Sequence, residues 1–75
     1  MGKGQAQITN TIRALRFHAD EMTQASLAER VGVTRQTIVA IEQGRYSPSL
    51  EVAFRIAAVF GAPLEQVFTY AGEVG

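Results

Sequence analysis

Apolar and polar positions between Thr23 and Glu42 fall into two short helical periods, broken at Val31, Gly32 and Val33. Leu27, Ala28 and Val31 stand at i, i+1 and i+4 and make one stripe, with Gln24, Ser26, Glu29 and Arg30 off it, which predicts an amphipathic helix. Thr23 can cap its start, and Met22 can pack against Leu27 one turn in. Gly32 follows the last periodic residue, where a left-handed turn ends a helix and a Cβ is penalised. A second helix begins at once, with Thr34 as cap, Val33 stapling onto Ile38, a stripe of Ile38 and Ile41, and a stop at Gly44. Arg35, Gln36, Thr37, Val39, Ala40 and Gln43 lie off that stripe and are mostly polar or small.

The same reading of the rest gives five helices in all. The first runs from about residue 10 or 11 to 18, with Ile12 and Leu15 inward and Arg13 outward. Arg16 can fold across it toward Glu42, and such a partly buried pair would lock the first helix to the third. The fourth helix lies between the cap Ser49 and Gly61, with a predicted core stripe of Leu50, Ala53, Ile56, Ala57 and Phe60. Val52, Phe54, Ala58 and Val59 are apolar as well, more than one core face needs; they either meet a partner or are singly exposed. A brief fifth helix spans about residues 63–67, with Pro63 in its first turn and Leu64, Val67 and Phe68 facing in. Residues 6–9 and 68–71 alternate with period two and can pair as a short antiparallel ribbon joining the ends. The expected fold class is therefore all-α with a possible two-stranded ribbon, in one domain over residues 6–71, between a flexible leader, 1–5, and a flexible tail, 72–75.

Two helices joined by so tight a turn, the second with a polar outer face near its start, match a unit whose second helix can enter the major groove of DNA. Ala28 stands where the helices approach most closely, and Gly32 leaves room for the reversal. An ordinary helical hairpin would not require Ala28, Gly32, Ile38 and Ile41 together.

Composition changes this picture in one respect. Seventy-five residues make one small domain, for which a dimer is a cheap source of extra burial. Without cysteine there is neither a disulfide nor a thiolate metal site, and no apolar run is long enough to cross a bilayer, so no membrane association, no metal, no cofactor and a cytoplasmic location are expected. Charge is the awkward fact: seven basic residues balance seven acidic ones, where a nucleic-acid binder is usually basic. The distribution is uneven, however. Arg30, Arg35 and Arg45 face only Glu42 between residues 30 and 50, whereas Glu51, Glu65 and Glu73 face only Arg55 beyond it. With so few cations per chain, affinity is expected to come from a dimer on two half-sites.

The runs Ile12-Arg13-Ala14-Leu15-Arg16, Thr23-Gln24-Ala25-Ser26-Leu27-Ala28-Glu29-Arg30-Val31-Gly32-Val33-Thr34-Arg35-Gln36-Thr37-Ile38 and Ile41-Glu42-Gln43-Gly44-Arg45-Tyr46-Ser47-Pro48-Ser49-Leu50 resemble the Cro/CI-type (Xre) helix-turn-helix regulators. The resemblance covers about residues 8–70 and is strongest to the compact single-domain branch that includes the cytolysin-operon repressor. It implies a five-helix lambda-repressor-like domain, a homodimer and a palindromic operator. It also implies that Arg16 and Glu42 form the family's structural ion pair, and that Leu64, Val67, Phe68 and Tyr70 lie near the dimer seam. The chain departs from the family between its first two helices, where residues 18–22 are one longer and contain no Gly.

On this frame Arg35, Gln36, Thr37 and Ala40 are the base-reading candidates: Arg can offer two donors to guanine, Gln can pair bidentately with adenine, and Thr or Ala can touch a thymine methyl. Thr34, Gln24, Gln43, Arg45, Tyr46 and Ser47 are candidates for phosphate contacts, Gln24 with the alternative of bracing the recognition helix and the loop residues with that of a plain solvated turn. His18, Asp20 and Glu21 cluster in sequence, but one histidine in a loop is poor evidence for a metal or acid–base site, and an enzyme is not expected. The reading is a double-stranded-DNA-binding transcriptional regulator, a homodimeric repressor with no room in the chain for an effector domain. The alternative is an antitoxin or adaptor that uses the same fold to hold a protein partner, supported by the neutral charge and the surplus apolar surface of the fourth helix.

Overall fold

The computed structural model describes residues 7–72, and the leader, residue 6 and most of the tail lie outside the described residues. Its elements run β1 (Ile8–Asn10), α1 (Ile12–His18), α2 (Gln24–Val31), α3 (Arg35–Glu42), α4 (Leu50–Phe60), α5 (Leu64–Val67) and β2 (Phe68–Tyr70). The fold is five helices and a two-stranded antiparallel ribbon.

Three hydroxyls fix where helices start. Thr23, Thr34 and Ser49 hold extended backbone conformations, and their side-chain oxygens accept from the N–H groups of Ser26, Thr37 and Val52. Each such cap is worth about 1 kcal/mol. Stops are equally local. Gly32 sits at φ 88°, and the Val33 N–H closes back onto the Ala28 carbonyl at 3.0 Å. The same six-residue closure ends α3, through Arg45 N–H to Ala40, and α4, through Ala62 N–H to Ala57. Arg55 of α4 reinforces the end of α2 by donating from Nη1 to the Val31 carbonyl at 3.1 Å.

The end of α1 is different. Its closing bond runs from the Met22 N–H to the Arg16 carbonyl at 2.9 Å, a loop one residue longer than the others. Asp20 and Glu21 occupy it at φ 61° and 56°, both left-handed. The extra residue of this glycine-free segment is thus absorbed by two successive side-chain-bearing residues in a conformation costing each about 1–2 kcal/mol, which Asp tolerates better than Glu.

The core joins all five helices. Ile12, Leu27, Val31, Ile38, Ile41, Ile56 and Val67 are almost wholly buried, Ala28 and Ala57 are buried among them, and Met22 and Val33 pack against this cluster. The predicted stripe of α4 needs one correction. Leu50 is 67% exposed, because it lies with Phe54, one turn on, to the side of the face that the core covers. The helix instead buries Ala53, Ile56 and Ala57 and lays Val52, Val59 and Phe60 against the core. Pro63 is likewise one position earlier than expected: it caps α5, with φ −68° and ψ 153°, and does not form its first turn.

The ribbon pairs Ile8 with Tyr70, Thr9 with Thr69 and Asn10 with Phe68. A strand pair this short is marginal alone. Here Thr11 extends it, with its N–H on the Val67 carbonyl and its hydroxyl on that of Gln66, both at 3.0 Å. Asn10 then anchors the ribbon to the helices. Its Oδ1 accepts from the Ile12 N–H at 3.1 Å, and its Nδ2 donates to the Ile41 carbonyl at 3.0 Å, near the end of α3.

If the left-handed pair after α1 stores backbone strain, Glu21→Gly should raise stability by about 1 kcal/mol. Urea unfolding should show a higher midpoint at unchanged slope, and a lower midpoint would contradict this account of the turn.

Candidate nucleic-acid interface

The recognition unit is α2, the turn at Gly32 and α3. Burial of Ile38 and Ile41 fixes the rotation of α3, so Arg35 and Gln36 are exposed in its first turn while Thr37 and Ala40 are half-buried beside them. Thr34 and Thr37 are bonded to each other through their hydroxyls at 2.9 Å, in addition to the cap. The small side chains at 37 and 40 leave the outer side of α3 low, and the long ones at 35 and 36 project at its N-terminal end.

Rigidity comes from a polar knot behind that face. Arg16 grips Glu42 with a fork, Nε to Oε2 at 2.7 Å and Nη2 to Oε1 at 3.2 Å, and its Nη1 donates to the Met22 carbonyl at 2.8 Å. The Gln24 amide nitrogen donates to Glu42 Oε1 at 3.2 Å. The Arg16 and Glu42 side chains are 16% and 9% exposed, so the pair is largely withdrawn from water. One carboxylate at the end of α3 therefore holds α1 and the first residue of α2, and the Arg16 it binds in turn holds the segment before α2. Of the two roles open to Gln24, the side chain takes the bracing one, which leaves the backbone N–H groups of the first turn of α2 as the part able to meet a phosphate.

Two hollows flank α3. One, a cleft of about 1110 Å³, lies between α1 and the helix starts and is bordered by Arg13, Gln24, Arg35 and Gln43 among others. The other, about 350 Å³, is bordered by Gln36, Thr37, Ala40, Arg45 and Tyr46. The base-reading candidates thus divide between the hollows, Arg35 on one side and Gln36, Thr37 and Ala40 on the other. Past the end of α3, Arg45 Nε donates to Gln43 Oε1 at 2.8 Å, which joins two of the loop candidates. Tyr46 is 52% exposed, and Ser47 is exposed too.

The residues placed near a dimer seam are not equivalent. Leu64 and Phe68 are half-buried and Tyr70 is exposed, but Val67 is turned into the protomer's own core and offers no side-chain surface to a partner.

The family model for helix-turn-helix proteins matches residues 12–67, the span from the first residue of α1 to the last of α5. This chain belongs to the Xre-type helix-turn-helix family. Its curated relatives include an uncharacterised HTH-type transcriptional regulator of Methanothermobacter thermautotrophicus, 58% identical over 72% of this chain and 83% of that one. Another, from Methanocaldococcus jannaschii, is 55% identical over 65% of this chain and 74% of its own length. The cryptic phage CTXphi transcriptional repressor RstR of Vibrio cholerae is 34% identical over 79% of this chain, which spans 52% of that repressor. Among solved structures, a candidate DNA-binding protein from Bacteroides fragilis superposes with a TM-score of 0.71 over 83% of this chain and 98% of its own at 22% identity, a likeness of fold.

Within this helix-turn-helix domain, Asn10 and Arg55 were not singled out by sequence. Asn10 carried a partial signal, as a cap-type residue just before a helix, whereas its second bond and that of Arg55 reach across 31 and 24 positions and leave no local trace.

Because Glu42 is the hub of the knot, Glu42→Ala should strand the Arg16 guanidinium and cost about 3 kcal/mol in urea unfolding. Replacing both partners, as Arg16→Met with Glu42→Leu, should cost clearly less; equal losses would mean that the pair is not what holds α1 to α3.

Proposed function

We propose that this DNA-binding transcriptional regulator acts as a homodimer that covers a palindromic operator and represses by occlusion. The observation that carries the reading is the exposed, pre-braced outer side of α3, with Arg35 and Gln36 at its N-terminal end and small residues behind them. A helix presented in this way fits the major groove, and Arg and Gln are the side chains that read guanine and adenine through two bonds. In this reading Arg35, Gln36, Thr37 and Ala40 meet base edges. Thr34, Gln43, Arg45, Tyr46, Ser47 and the first turn of α2 at Gln24 set the register on the sugar-phosphate backbone.

Dimerisation follows from affinity. The chain has no net charge, and the few cations near α3 would give a single protomer a weak electrostatic hold. Two linked protomers convert the second half-site into an intramolecular event. Leu64, Phe68 and Tyr70, contiguous with the ribbon, form the proposed seam, with Val67 supporting it from inside. Repression is in keeping with the RstR relative, which is named as a repressor.

A protein-partner role keeps one specific observation in its favour: Leu50 and Phe54, one turn apart on α4, are 67% and 54% exposed. A pull-down from nuclease-treated extract separates the two readings, since a regulator acting through DNA alone retains no stoichiometric companion.

Arg35→Ala or Gln36→Ala should each cost about 1–3 kcal/mol on the preferred duplex and relax preference at particular base pairs. Arg45→Ala should instead weaken all duplexes alike and flatten the salt dependence. If both kinds of variant bind every duplex as the parent does, the contact assignment is wrong. In sedimentation the parent should be a dimer, and a chain truncated after Gly61 should be monomeric or unfolded. A stable dimer of that truncated chain would refute the seam.

A further inference from the structure

The cleft between α1, the start of α2 and α3 has a volume of about 1110 Å³, and the contacts proposed above use its α2 and α3 sides but not its α1 wall. Three guanidinium groups, of Arg13, Arg16 and Arg35, border it against a single carboxylate, Glu42, which Arg16 already neutralises. On a chain without net charge this is a local excess of positive charge. Arg13 stands on the exposed side of α1, and its charge has no partner in the knot behind it. The cleft also shares Arg35 with the proposed base-reading side of α3, so it opens toward the same groove that α3 would enter.

A major groove is about 12 Å wide and walled by one sugar-phosphate ridge on each side. A helix lying in it meets both walls. The smaller hollow, with Arg45 and Tyr46, lies on one flank of α3, and the cleft lies on the other. We propose that the cleft seats the second ridge, and that Arg13 of α1 is a phosphate-contacting residue which completes a two-sided clamp around the recognition helix. The proposal rests on the DNA-binding reading and deepens it. It enlarges the interface from the helix-turn-helix unit to α1, and it supplies a cation that the near-neutral chain needs. The fit is one of charge and shape: the walls are guanidinium groups, the Gln43 side chain, and the opening turn of α2, where backbone N–H groups favour an anion. The occupant inferred is the backbone of duplex DNA and not a small anion, because a cleft this open and continuous with α3 suits a ridge that runs through it.

The test compares the parent chain with Arg13→Ala and Arg13→Lys on the preferred duplex and on an unrelated one, over a range of salt. Far-UV circular dichroism and thermal melting should be unchanged, since the side chain is exposed. Arg13→Ala should weaken both duplexes by the same factor and reduce the slope of log affinity against log salt by about 1 per protomer, and Arg13→Lys should restore the slope. Hydroxyl-radical footprints should lose protection at one flanking phosphate cluster per half-site. If the parent binds duplex DNA but Arg13→Ala matches it in affinity, slope and footprint, the clamp is overturned while the DNA reading stands. If the parent binds neither duplex at any salt, both fall together.

Discussion

The bond from Arg16 to Glu42 is the constraint on which the rest of the molecule depends. Residues 12–18 and 35–42 share the core through Ile12, Ile38 and Ile41, and a carboxylate that receives a two-pronged guanidinium and a side-chain amide adds the directional tie between them. Burying such a pair is not a cheap way to gain stability, since both charges lose water. Its value lies in geometry. A fork has one good orientation, so α3 is held in rotation as well as in position, and rotation decides which side chains a helix offers to a groove.

Hydrophobic packing does the complementary work. Ile38 and Ile41 turn one side of α3 inward, and Asn10 fastens the carbonyl of Ile41 to the ribbon and to the start of α1. The two ends of the domain therefore converge behind the same helix. The element proposed to act on DNA is thus among the most firmly tethered in the chain, as pre-organised recognition requires. Such tethering also explains how a short helix of eight residues can hold its form: an isolated helix of that length would be unstable in water.

What sequence could and could not disclose follows from the range of each interaction. Thr23, Thr34 and Ser49 act within three residues, and Gly32 acts within its own turn, so their spacing was readable. The Arg16 and Glu42 pair spans 26 positions; the placement of Arg16 beside Leu15 and of Glu42 beside Ile41 suggests it, and resemblance to a family supports the register. Leu50 departs from the expected stripe because α4 is apolar almost all round, so periodicity marks no single inward side. The choice falls to the neighbours, which cover Val52 and Val59 and leave Leu50 and Phe54 exposed. Val67 shows the same limit at the proposed seam: an apolar residue near a surface reads alike whether it faces a partner or its own core. The Asp20–Glu21 turn was flagged by its extra length, yet that two left-handed residues absorb it depends on backbone angles that composition does not encode.

In the proposed function α3 is a rigid reading head deployed twice in a symmetric assembly. The most direct measurement is selection from a random duplex pool with the purified chain at a fixed, physiological ionic strength, because it reports binding, symmetry and spacing together. The account predicts enrichment of an inverted repeat whose half-site centres lie about 34 Å apart, one turn of the double helix. Recovery of unenriched sequences, or of a single unpaired half-site, would contradict it.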